Sequence, residues 1–467
     1  MRFTKNNLVL AVAVAGAIAA PSAFATNGMN MEGYGPVATA MGGASMAYDN
    51  GSAAVMNNPA TLGLMKEGNE LDLALGRLGP SVSGRGDDSS ATAFYMPAIG
   101  FIKKQGQFSF GAGLFAQGGM GAEYDGGSYF AYGSGETVRS ELGVGRIIFP
   151  FVYSDAKFSV GVTLDYVWAG LDLKMALPGD QFGDMVGALG GSEQYGSASG
   201  SMVDALALAM GGGAVTGVNW ARFDFSDNNK FTQEAKATGY AGKLGFTYKI
   251  DPQWTIGATY HSKTKLDDME TSDASLGMNV SGPICGGPAS CSIPVRGEIT
   301  IQDFQWPETF GFGAAFQATD KLMVAADYKR IGWKAVMKDF KMSFAANSTQ
   351  SGAASGFAGL HMDATLVQEW KDQNVFEVGA SYKTTDALTL RGGINVANDP
   401  IPDTYVLALF PAIVKNHLTF GGGYALSNSS DLDVAITYAP AVKVTNGHGD
   451  DIKHSQMNLQ LMYASRF

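Results

Sequence analysis

The stretch KFSVGVTLDYVW, residues 157–168, splits into two files when every second residue is taken. Phe158, Val160, Val162, Leu164, Tyr166 and Trp168 fall on one side, and Ser159, Gly161, Thr163 and Asp165 on the other. A period of two marks a β-strand with one apolar and one polar face. The pattern returns in QWTIGATYHSK, where Trp254, Ile256, Ala258 and Tyr260 oppose Thr255, Gly257, Thr259 and His261, and again over 322–329 and 431–438. In a soluble sandwich the apolar file would face a core, and in a membrane barrel it faces lipid. Trp168, Tyr260, Tyr328 and Tyr438 end these files, and such rings prefer the headgroup level of a bilayer, which favours the barrel.

Composition points the same way. Hydrophobic residues make up 46% of the chain and charged residues only 16%, below the roughly 25% usual in soluble domains. Yet no apolar run after Thr26 is long enough for a membrane helix. Alternating strands resolve the conflict, because they are greasy on one side only. The 62 glycines suit tight turns and close strand packing rather than helices. A net charge of −11 without a cluster of Lys and Arg excludes a nucleic-acid partner.

At the N-terminus Arg2 and Lys5 precede an apolar run from Leu8 to Ala20 and then Ala23-Phe24-Ala25, the layout of a signal peptide spanning residues 1–25. At the other end Met457, Leu459, Leu461, Tyr463 and the terminal Phe467 alternate with Gln456, Asn458, Gln460 and Arg466. A final amphipathic strand closing on an aromatic resembles the signal by which bacterial barrel-assembly machinery recognises its clients. Short turns (KIDPQ, TTDA, SNSSD) alternate with long insertions at 176–236, 267–297 and 341–368, as expected of periplasmic turns and external loops.

One insertion holds SMVDALALAM, in which Met202, Val203, Leu206 and Met210 form the greasy side of a short helix. That side either packs on the barrel rim or borders an entrance groove for apolar ligands, for which Met is well suited. Cys285 and Cys291, flanked by Gly and Pro in an exported chain, read as a loop-pinning disulfide; free thiols or half a metal site are the alternatives. His448 and His454 flank Asp450 and Asp451, but the spacing fits no standard metal site, and no metal or other cofactor is expected. No Gly-x-Ser-x-Gly elbow or P-loop lysine supports an enzyme, so an outer-membrane lipid hydrolase is an alternative without a motif. A general diffusion porin, with charge rings around an open lumen, is the other alternative.

The segment TNGMNMEGYGPVATAMGGASMAYDNGSAAVMNNPATLGLM, residues 26–65, is neither alternating nor disordered in composition, and must be held by something around it. Through Asn27-Gly28, Gly33, Gly35, Met41-Gly42-Gly43-Ala44, Asp49 and Asn58-Pro59-Ala60 it resembles the FadL family of outer-membrane transporters of long-chain fatty acids and aromatic hydrocarbons. The likeness continues through SGETVRSELGVGRI, YHSKTKLDD and EWKDQNVFEVGASYKTTDALTLRGGINVANDPIPD.

The resemblance implies an all-β, antiparallel transmembrane barrel of about 14 strands over residues 68–467. An N-terminal hatch, residues 26–67, would plug it. It implies passive uptake by a monomer in the outer membrane: loop capture of a hydrophobic molecule, hatch movement, and exit to the lipids through a gap at a kinked strand. Gly42, Gly43, Asn58, Pro59 and Ala60 are the candidate hatch and gating residues. Met202, Val203, Leu206, Met210 and His261 are the candidate substrate contacts. His261 stands where relatives carry Arg, which would weaken carboxylate recognition, though it equally reads as a plain pore-lining residue. Arg139 and Arg146 fall in the stretch expected to form the kinked third strand, and pairing with Glu141 and Asp165 is open to them.

Overall fold

The structure, a computed structural model, describes residues 27–187, 194–229 and 232–467. The expected signal peptide lies outside the described residues. In the strand Phe158–Pro178 the apolar file points outward, with Val160, Val162, Leu164 and Tyr166 exposed and Ser159, Gly161 and Asp165 buried. The last strand, Asp451–Arg466, behaves alike: Met457, Leu459, Leu461 and Tyr463 are exposed while Gln456, Asn458 and Gln460 are buried.

These strands form a wall. In order around it run Gly68–Leu78, Phe94–Gln105, Phe108–Tyr124, Val138–Ser154, Phe158–Pro178, Ala235–Lys249, Trp254–His261, Thr309–Gln317, Leu322–Ile331, Gln373–Lys383, Leu388–Ala397, Asn416–Ser427, Ser430–Thr445 and Asp451–Arg466. Each is antiparallel to the next. The last pairs back onto the first, with Leu73 opposite Tyr463. Closure satisfies the strand edges, as a bilayer requires.

The expectation of about 14 strands in all needs correcting, because the sheet that continues from this wall holds 24 among the described residues. The long insertions supply the excess. Gly217–Phe225, Ala274–Ser281, Ser290–Gln302, Asp339–Ala346 and His361–Val367 pair with one another beyond the wall, satisfying backbone groups that an irregular loop would strand. At the tip of the Ala274–Ser281 and Ser290–Gln302 hairpin, Cys285 and Cys291 are joined as a disulfide. Short turns at residues 155–157, 250–253, 318–321 and 384–387 all lie at the opposite end.

The N-terminal segment fills the interior. Its helix Pro36–Ala40 packs on the Asn416–Ser427 and Ser430–Thr445 strands, and its turn Pro59–Leu64 packs on Phe158–Pro178 and Ala235–Lys249. Lumen-facing glycines make the fit possible. A methyl group on Gly161 or Gly245 would collide with Ala60, on Gly257 with the Met46 carbonyl, on Gly379 with Met41, and on Gly393 with Gly42. The glycine abundance thus becomes a belt on which another backbone rests directly.

Candidate functional site: a chain of cavities ending at a break in the wall

The site begins with an irregular strand. In Phe108–Tyr124, Ala116 pairs with Gly145 and Gly118 with Val144, so Gln117 is the extra residue of a bulge. Pairing with the neighbouring Phe94–Gln105 strand runs only as far as Ile99 opposite Leu114. Beyond that point Phe94–Gln105 still follows the first strand out to Leu78, and Phe108–Tyr124 still follows its other neighbour out to Val138. The two therefore part, leaving a gap in the outer half of the wall. A cavity of about 40 Å³ lies there between Met31 and Tyr34 inside and Met96, Ala98, Phe115 and Ala116 on the wall. A second, of about 210 Å³, lies further out among Ser90, Tyr95, Glu123 and Arg139.

The start of the N-terminal segment is fastened to this bulge. Asn30 bridges to Gly118, and its Oδ1 accepts hydrogen bonds from Trp306 Nε1 at 2.8 Å and Gln117 Nε2 at 3.0 Å. The Tyr34 hydroxyl donates to the Gln117 carbonyl at 2.5 Å. The rest of the segment is anchored to wall carboxylates and amides. Met46 N donates to Asp327 Oδ2 at 3.0 Å, Gly42 N to Thr419 Oγ1 at 2.9 Å, and Asn395 Nδ2 to the Gly42 carbonyl at 3.3 Å. Lys329 Nζ donates to the Gly43 carbonyl at 3.3 Å. Asn58 Nδ2 donates to the carbonyls of Met46 at 2.7 Å and Phe246 at 3.2 Å, while its Oδ1 caps Ala60 N at 3.1 Å. Pro59 and Ala60 rest on Gly161 and Gly245.

Above the segment the lumen changes character. Along Phe158–Pro178 the inward residues pass from Ser159 and Asp165 to Val167, Leu171 and Leu173, all buried. Leu171 and Leu173 line a chamber of about 30 Å³, with Met29 as its floor and Trp370, Phe304 and Phe340 among its walls. At rest it is room for about one water. Met29, Met120, Met175 and Met337 line it, and their flexible thioethers allow it to open around a guest. Met175, Leu366, Gln368 and Leu407 also line an outer cavity of about 380 Å³ among the external loops. Tyr129, Tyr132, Tyr195 and Tyr405 face this cavity, as do Asp180, Asp184 and His448. The His448 ring lies 3.9 Å from that of Tyr195, and burial holds its pKa below the usual value, so it is neutral at pH 7.

The sequence candidates are distributed unevenly over this site. His261 Nε2 lies 2.8 Å from the Asn57 carbonyl, so it supports the N-terminal segment. Met202, Val203 and Leu206 are buried and Met210 half-buried on the helix Ser201–Gly211. That helix packs on the external strands Gly196–Ser199 and His361–Val367, which contribute Gly196, Leu366 and Val367 to the outer cavity, but Met202, Val203, Leu206 and Met210 do not themselves line either cavity. Arg139 and Arg146 sit in Val138–Ser154, one strand beyond the irregular one, which corrects their expected place in the kink. Arg146 pairs with Asp165 at 2.9 Å beside Lys243, and Arg139 is held by Glu141, by Glu123 at 3.8 Å and by Asp172 at 3.9 Å. His448 meets Gln181 and His454 meets the Pro411 carbonyl, so the two do not share a ligand. Ser201 Oγ lies 3.1 Å from His361 Nδ1, but it also accepts the His361 backbone N–H at 3.1 Å. Asn30, Gln117, Trp306 and Gln368 escaped the sequence reading. The one available signal was the glycine run that follows Gln117 in FAQGGMG, since glycine inside a strand often marks a bulge.

Fold and cavities together define a class: a transmembrane β-barrel with a filled lumen, an apolar inner chamber and a break in its wall. The chain belongs to the outer membrane protein transport protein family (OMPP1/FadL/TodX), whose sequence profile matches residues 12–466. It is accordingly an outer-membrane β-barrel of a family whose members move hydrophobic compounds. The solved toluene transporter TodX of Pseudomonas putida is 31% identical, with a TM-score of 0.79 over 93% of this chain and 99% of that one. The long-chain fatty acid transport protein of Escherichia coli (strain K12) is 23% identical over 95% of this chain and 94% of its own length. An uncharacterised Chlorobium limicola protein is 53% identical over 90 residues, 18% of this chain and 44% of that relative, so the match spans less than half its length.

Proposed function

We propose that the protein is a passive channel for neutral apolar molecules of the size of small aromatic hydrocarbons. They are captured in the outer cavity, pass through the inner chamber and leave for the membrane by the wall gap. In this reading residues 26–67 act as the hatch, residues 68–467 as the barrel, and the exposed terminal Phe467 as the signal read by assembly machinery. The observation that carries it is the charge inventory of the route. Among the described residues no Lys, Arg, His, Asp or Glu lines the inner chamber, and Asp180 and Asp184 are the formal charges lining the outer cavity. Arg139 lines the outer part of the gap, where carboxylates surround it. A fatty-acid carboxylate would lose its water without finding a cation, at a cost of several kcal/mol. A neutral ring gains about 25 cal/mol per Å² covered.

The test is uptake into vesicles carrying the purified protein. Toluene entry should exceed that of protein-free vesicles at least tenfold, whereas laurate should gain little; comparable acceleration of laurate would overturn the assignment.

Hatch and loop residues take defined places in this reading. Replacing Asn58 by Ala leaves the Met46 and Phe246 carbonyls without their donor and should destabilise the barrel by about 1–3 kcal/mol. Thermal unfolding in detergent should show the loss, with slower toluene uptake from the barrels that remain folded. Polar replacement of Met202 and Leu206 should slow uptake at low toluene concentration if the Ser201–Gly211 helix sets the shape of the capture loops. An unchanged rate at all concentrations would remove the helix from the route.

A further inference from the structure

Among the described residues Gln368 is the one amide side chain lining the inner chamber, where Trp370 supplies the other polar group, and it also lines the outer cavity, so it stands at the threshold between them. It is buried, at 7% exposure. Trp370 Nε1 lies 3.3 Å from Gln368 Oε1, and an indole N–H can only donate. That contact settles the orientation of the amide: the oxygen faces the indole and the NH₂ group is left over. Among the described residues no acceptor lies within hydrogen-bonding reach of that nitrogen. The arrangement is rigid, because Trp370 is buried against Trp333, ring centres 5.2 Å apart, and the Gln368 backbone N–H donates to the Lys338 carbonyl at 2.9 Å.

An apolar guest crossing this threshold displaces water from the amide and leaves a donor stranded. A guest with a carbonyl or ether oxygen satisfies it, and an aromatic π face does so more weakly. We infer that Gln368 is a specificity determinant that ranks neutral guests by their ability to accept a hydrogen bond: oxygen-bearing aromatic compounds first, aromatic hydrocarbons next, saturated hydrocarbons last. The inference rests on the channel reading above, and because the chamber's aromatic and thioether walls themselves favour aromatic over saturated guests, the step between the two aromatic classes is the one that isolates the amide.

Three probes of matched size separate the terms: acetophenone, ethylbenzene and ethylcyclohexane. Their affinities for the full-length protein in detergent are measured by titration calorimetry, after subtraction of partitioning into protein-free micelles. Acetophenone should bind about fivefold more tightly than ethylbenzene, the equivalent of about 1 kcal/mol for one net hydrogen bond. Ethylcyclohexane should be weakest. In Gln368→Met, which keeps the volume and removes the donor, acetophenone should fall to the level of ethylbenzene while ethylbenzene stays within about twofold. Equal affinities in the parent protein overturn the inference and leave the channel reading standing, as does a ranking that survives in the variant. If none of the three binds, the inner chamber as a guest site falls as well. The parent ranking alone decides the matter should the variant fail to assemble.

Discussion

Replacing Gly257 by Val should convert the protein from a nearly silent barrel into an ion-conducting one. Gly257 lies in the wall with its absent side chain pointing at the Met46 carbonyl, and even a methyl group there would overlap that oxygen. Asn58 holds the same carbonyl. A branched side chain therefore forces either the strand or residues 45–58 to move, and the strand is pinned on both sides by its neighbours. The inner segment should yield. Single-channel recording in planar bilayers should show small or no steps for the parent and large, stable steps for the variant, with heat-modifiable mobility retained in both. A folded variant that stays silent would mean the segment adapts in place; large steps from the parent would favour the general porin.

Deleting Gln117 should abolish facilitated uptake while preserving the barrel. The bulge offsets the register between Ala116 and Gly118, and the parting from Phe94–Gln105 begins just before it, at Leu114. Without the extra residue the strand can run straight and continue its ladder with Phe94–Ala98, filling the space where Met96, Ala98, Phe115 and Ala116 now stand apart. The deletion also removes a hydrogen-bond partner of Asn30 and Tyr34. Toluene uptake should drop at least tenfold, towards the rate of protein-free vesicles. Retention of most of the parent's rate would show that guests leave by another path, through the lumen and past the hatch.

The barrel was legible because lipid enforces a simple rule on outward residues. Val160 through Tyr166 and Met457 through Tyr463 obey it, and both files point outward in the structure. The strand total was not legible, since short external strands such as His361–Val367 lie inside insertions that read as loops; Met362 and Ala364 alternate there with His361 and Asp363, but over too few residues to mark a membrane strand. The chamber was hidden for a related reason. From Val167 outward the apolar file of Phe158–Pro178 changes sides, with Leu171 and Leu173 facing inward while Asp172 and Lys174 take the other parity, so the rule read from the lipid-facing half no longer tells lipid from lumen. Gln368 could not be singled out in one dimension, because its role depends on an indole two residues away and on walls contributed by distant strands.

The glycine belt also bears on how the molecule comes to exist. Contacts such as Gly42 to Thr419 join positions 377 residues apart, and Thr419 belongs to one of the last strands to be made. A segment whose main chain rests on bare glycines around the circumference has no clearance to slide into a finished cylinder. The geometry implies that the wall is cast around its own stopper, with the seam between Gly68–Leu78 and Asp451–Arg466 shut only once the mould is full. The segment from Asn27 to Met65 would then serve as a gauge of the bore for everything translated after it.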